Sequence, residues 1–94
     1  MGADIFEGLI EGRIVHYVMP DGKHRPAIIV RVWDKAHTNG CVNLTVFTDW
    51  TNDSRGPDYV MDADCAAGKM WRTSVLFDGN TDPAPGTWHW IERA

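Results

Sequence analysis

The side chains best suited to hold a transition metal are four histidines, His16, His24, His37 and His89, spread over separate segments of the chain. A metal site needs two or three such imidazoles to converge in space. Convergence of the first and last segments stays open, because the first and last strands of small barrels often lie side by side. Each histidine is read as a half-buried, hydrogen-bonded structural residue, and neither metal nor cofactor is assigned. The cysteines, Cys41 and Cys65, form no Cys-x-x-Cys pair and allow one disulfide at most. Cys41 sits in an apolar run and Cys65 among small residues, with no cue for a lowered pKa. Ser74 lacks the Gly-x-Ser-x-Gly elbow of a nucleophile. Asp49, Asp53, Asp58, Asp62 and Asp64 crowd one acidic stretch but miss the spacing of an EF-hand loop. With no nucleophile or acid/base pair to assign, the chain reads as a non-enzyme.

The elements that would position these groups are short strands. Arg13 to Met19 alternates, with Ile14, His16 and Val18 on one face and Val15, Tyr17 and Met19 on the other. Pro20-Asp21-Gly22-Lys23 is a turn signal, since proline presets φ and glycine accepts positive φ. Ala27 to Trp33 is β-branched and apolar and pairs back as a hairpin. Asn39-Gly40 marks the next reversal, and Cys41 to Asp49 forms a third strand. Trp50 to Gly68 breaks the rhythm as a long acidic loop. Met70 to Phe77 resumes alternation, and Thr87 to Ile91 closes as a short aromatic strand. Near the start, Asp4 and Glu7 could cap a helix of about two turns. Ile5/Leu9 and Phe6/Ile10 are paired in it at helical spacing. That segment is either an arm docking on a neighbouring subunit or, the preferred reading, a plug for the end of the chain's own fold. The fold class is mainly β: one domain over 1–94, a small five-stranded SH3-like or OB-like barrel with a short N-terminal helix or arm over 1–11 and a loop over 50–68.

Ninety-four residues with 44% hydrophobic and 23% charged side chains suffice for one modest core. The net charge of −4 speaks against a nucleic-acid binder, which wants a basic stripe. No basic-then-apolar opening suggests an export segment, and no apolar stretch suggests a membrane span. Five tryptophans are more than a barrel of this size can easily enclose, so at least one or two rings should reach the surface. If Ile28, Val30 and Val32 point inward, then Ile29, Arg31 and Trp33 point outward. They are joined there by Asn43 and Phe47 from the next strand, with Tyr17 extending the patch. Such a face marks a partner or ligand site unless the long loop covers it. On the last strand Trp88 and Trp90 share one face, and His89 takes the other, able to meet a ligand.

Several strings carry a resemblance: Val15-His16-Tyr17-Val18, Arg25 to Trp33, Val42 to Asp49, Thr73-Ser74-Val75 and, most specifically, Gly86-Thr87-Trp88-His89-Trp90. From about residue 13 onward the chain resembles a group of small proteins encoded in tailed-bacteriophage and prophage genomes. Proline commonly follows the closing string in that group, where this chain has Ile91. The resemblance implies a viral origin and expression in a bacterial cytoplasm, and it transfers no activity and no site residues. The expected function is a non-catalytic protein-binding or assembly module, as a head-decoration or connector component of the virion. Its partner would be a second copy or another virion protein. One alternative is a small-ligand binder that sequesters a host signalling nucleotide, stacking it on Trp33, Tyr17 or Phe47 with Arg31 against phosphate. The other is a single-strand nucleic-acid binder.

Overall fold

The computed structural model describes residues 6–33, 40–49 and 68–91. The chain is mainly β. Five strands, β1 (Ile14–Val18), β2 (His24–Val32), β3 (Val42–Phe47), β4 (Lys69–Val75) and β5 (Trp88–His89), form one antiparallel sheet in the order β4-β3-β2-β1-β5. Among the described residues its two edges meet only where the chain leaving β4 forms a parallel bridge, Phe77 with Trp88. The expected barrel is therefore an incompletely closed sheet. Among the described residues no helix is long and apolar enough to cross a membrane.

The β1–β2 hairpin follows from its turn residues. Gly22 takes φ +88° and donates its N–H to the Met19 carbonyl at 2.8 Å. The Asp21 carboxylate accepts the Lys23 N–H at 3.0 Å, an Asx turn that makes the reversal tight. This turn fixes the register, placing Val18 opposite His24 and His16 opposite Pro26.

One face of the sheet is the core. Val15, Tyr17, Ala27, Ile29, Val42, Leu44, Val46, Met70 and Trp88 are all buried on it, and Phe6 and Leu9 pack in from the N-terminal segment. The described part of that segment is a pair of turns rather than a helix, with Leu9 N–H bonded to the Phe6 carbonyl. Gly8 and Gly12 sit at positive φ, which helical continuation would forbid. Phe6 and Leu9 are part of the chain's own buried cluster. The acidic stretch, with Asp53, Asp58, Asp62, Asp64 and Cys65, lies outside the described residues, as do His37, Asn39 and, of the expected cap, Asp4.

The face assignment of β2 needs correction. Ile29 and Tyr17, expected on the outer binding face, are core residues only 1% and 5% exposed. Strict alternation fails because a register shift falls between Ile29 and Arg31 opposite β3. The extra residue, Val30, resets the phase. Ile29 thus faces Leu44 inside, while Arg31 faces Asn43 outside. Tyr17 follows Val15 inward, two residues along the same strand.

Candidate functional site

The outer face of the sheet carries two groups of side chains. The first lies where β2, β3 and β4 run side by side. Arg31 stacks its guanidinium over the Trp33 ring, 3.9 Å from the centroid, so one face of that indole is already occupied. The Trp33 Nε1–H donates to Asn43 Oδ1 at 3.0 Å. The same oxygen accepts from the Thr73 hydroxyl at 2.9 Å and from the Ser74 N–H at 2.8 Å. Opposite Asn43 the β3–β4 register also shifts, and Ser74 adopts φ +55°, a left-handed conformation rare for serine. Asn43 thus spends its acceptor on its own chain, pinning the irregular step of β4. Asn43→Ala should lower stability by about 1–2 kcal/mol, measured as a drop in thermal midpoint. Asn43→Asp, which keeps an acceptor oxygen in place, should cost less.

Further along this face, Ile14, Ile28, Thr45 and Trp71 form a cross-strand row from β1 to β4. Ile14 is 51% exposed and Trp71 47%. Phe47, paired with Lys69, adds a ring that is 42% exposed. Among the described indoles the most exposed is Trp71, which the sequence reading leaves unassigned. Its signal was the neighbouring Met70, whose burial sends Trp71 to the opposite face.

The second group is histidine-rich. β1 lies between β2 and β5, and His16 stands directly opposite His89. The hairpin register places His24 on the same face, diagonal to His16. His16, His24 and His89 consequently offer three ring nitrogens all within 4.8 Å of one another. His89 Nε2 lies 3.1 Å from His24 Nδ1, and His89 Nδ1 lies 2.8 Å from the Trp90 carbonyl oxygen. A carbonyl only accepts, so His89 Nδ1 carries a proton and, in the neutral ring, Nε2 turns its lone pair toward His24. His89 is buried and His16 partly so, while His24 opens β2 at the solvent side. His89 also lines a cleft of about 410 Å³ with Phe77, Gly79, Asn80, Thr81 and Trp90. The rim of that cleft is held by Asp78, whose carboxylate accepts the backbone N–H groups of Ala84 and Asn80. Those bonds hold the Asp78 pKa below the usual carboxylate range.

Of the residues anticipated from sequence, Arg31, Trp33 and Asn43 come together, Phe47 stands apart on the same face, and His89 joins the histidine group. Cys41 is a buried thiol pushed up by desolvation, the opposite of an activated nucleophile. Comparison with protein-family models, curated proteins and solved structures finds no match for the chain.

Proposed function

We propose that the chain is a non-catalytic assembly module that binds another protein of a phage particle through the outer face of its sheet. The observation that carries this reading is the apolar surface left to solvent there. Trp71 and Phe47 are large rings on adjacent strands, with Ile14 in the same cross-strand row as Trp71. Tryptophan and other large aromatics concentrate binding energy at protein interfaces. The resemblance of the closing Gly86-Thr87-Trp88-His89-Trp90 string to phage proteins supplies the setting. The hydrogen bonds of Asn43 tie Trp33, Thr73 and Ser74 together beside this patch.

The test is incorporation into particles of a phage that carries the gene, read by mass spectrometry. The wild-type chain should appear at regular copy number. Trp71→Ser combined with Phe47→Ser should lower its incorporation at least about 30-fold, as loss of an interface hot spot does. Each ring is more than half covered by the sheet, so the variant should also lose some stability, and circular dichroism shows that it remains folded before incorporation is read. Particles free of the chain, or a double variant incorporated like wild type, would contradict this reading.

A further inference from the structure

We infer that His16, His24 and His89 form a binding site for a single divalent transition-metal ion of the zinc type, with at least one coordination position left open on the outer face. The topology assembles the set. Two histidines come from the β1–β2 hairpin and the third from β5, the shortest strand of the sheet.

Three features suit a metal. A tetrahedral zinc ion with Zn–N bonds of about 2.0–2.1 Å needs ligand nitrogens about 3.3 Å apart. The 3.1 Å between His24 Nδ1 and His89 Nε2 already lies near that spacing. With all three nitrogens inside 4.8 Å, small side-chain rotations of His16 complete the set. Next, metal-bound histidines characteristically donate their second ring N–H to a carbonyl, which fixes tautomer and ring orientation. His89 has that partner in the Trp90 carbonyl at 2.8 Å, leaving Nε2 for the ion. Finally, imidazole nitrogen favours zinc, copper or nickel, whereas calcium and magnesium want oxygen. The ion would take the place of the proton that His24 Nδ1 donates to His89 Nε2 and tie β5 to β1 and β2. Three protein ligands leave a zinc position for water or for a group from another molecule.

The experiment uses the full chain without any histidine tag, titrated with Zn²⁺ by calorimetry and checked by elemental analysis after dialysis. One equivalent of zinc per chain is expected, together with a rise in melting temperature that a chelator reverses. His24→Ala, at the solvent side of the cluster, should weaken binding by more than the roughly 10–100-fold that losing an outer-shell partner costs. His16→Gln should do the same, and circular dichroism shows whether each variant folds. Nitrogen NMR shifts should mark His89 Nε2, not Nδ1, as metal-bound. Absence of zinc binding by the wild-type chain would overturn the inference. So would wild-type affinity in folded His24→Ala or His16→Gln, which would place the ion elsewhere.

Discussion

Trp88→Ala is expected to remove about 3–5 kcal/mol of stability, the cost of emptying a large buried aromatic site. That is a large share of what a domain of this size has, since about 5–15 kcal/mol is usual. Trp88 is fully buried. It meets Phe77 with ring centroids 4.9 Å apart, Trp90 edge-on at 5.1 Å and Phe6 at 6.3 Å. Its Nε1–H donates to the Gly40 carbonyl at 2.7 Å in a buried setting. Truncation therefore opens a cavity and strands a buried carbonyl, and the two penalties act together. Trp88 also links the sheet's edges, since its N–H bonds the Leu76 carbonyl and its carbonyl accepts the Asp78 N–H. Urea denaturation followed by far-ultraviolet circular dichroism gives the number. Trp88→Phe should recover part of the loss, because the ring returns and the hydrogen bond does not. A cost below about 1 kcal/mol for Trp88→Ala would mean that this cluster is not the centre of the core.

Gly40→Ala is expected to cost about 2–3 kcal/mol, from two separable causes. Gly40 holds φ +79°, where an L-residue with a Cβ is strained by roughly 1 kcal/mol. A Cβ there would also fall 2.5 Å from Phe6 Cε1 and 2.7 Å from Phe6 Cζ. Phe6 has little room to yield, being buried edge-on against Phe77 with centroids 5.2 Å apart. Gly22→Ala is the control: its φ of +88° is equally demanding, but no heavy atom lies within 4 Å of the added carbon. It should cost only the backbone part, about 1 kcal/mol. The difference between the two midpoints of denaturation isolates the clash with Phe6. Equal losses at both positions would show that the N-terminal segment does not seat Phe6 against Gly40 in solution.

Particular residues show what the sequence could reveal. The alternation of Ile14 to Met19 and the Pro20-Asp21-Gly22 turn identify the first hairpin, because both signals are local. That turn also puts His24 and His16 on one face by simple counting along two strands. His89 could not be added by counting, since its place depends on β5 pairing with β1, seventy residues away in the chain. A β-bulge leaves no local mark in a run of apolar β-branched residues, so alternation alone puts Ile29 on the wrong face. Either phase of Ala27 to Trp33 buries comparable side chains. Alternation along β3 puts Asn43 on the outer face, but its three donors arrive from β4 and from Trp33, so its role as an internal clamp depends on tertiary contact. The parity of the closing string is legible, with Trp88 and Trp90 packed against each other and His89 paired with His16 on the other face.

The claim that the outer face meets the partner is tested most directly by oxidative footprinting of the chain, free and within phage particles, with side-chain oxidation read by mass spectrometry. The proposed function predicts that Trp71 and Phe47 react readily in the free chain and are protected in the particle, while buried Trp88 stays unreactive in both. Equal labelling of Trp71 and Phe47 in the two states would contradict it.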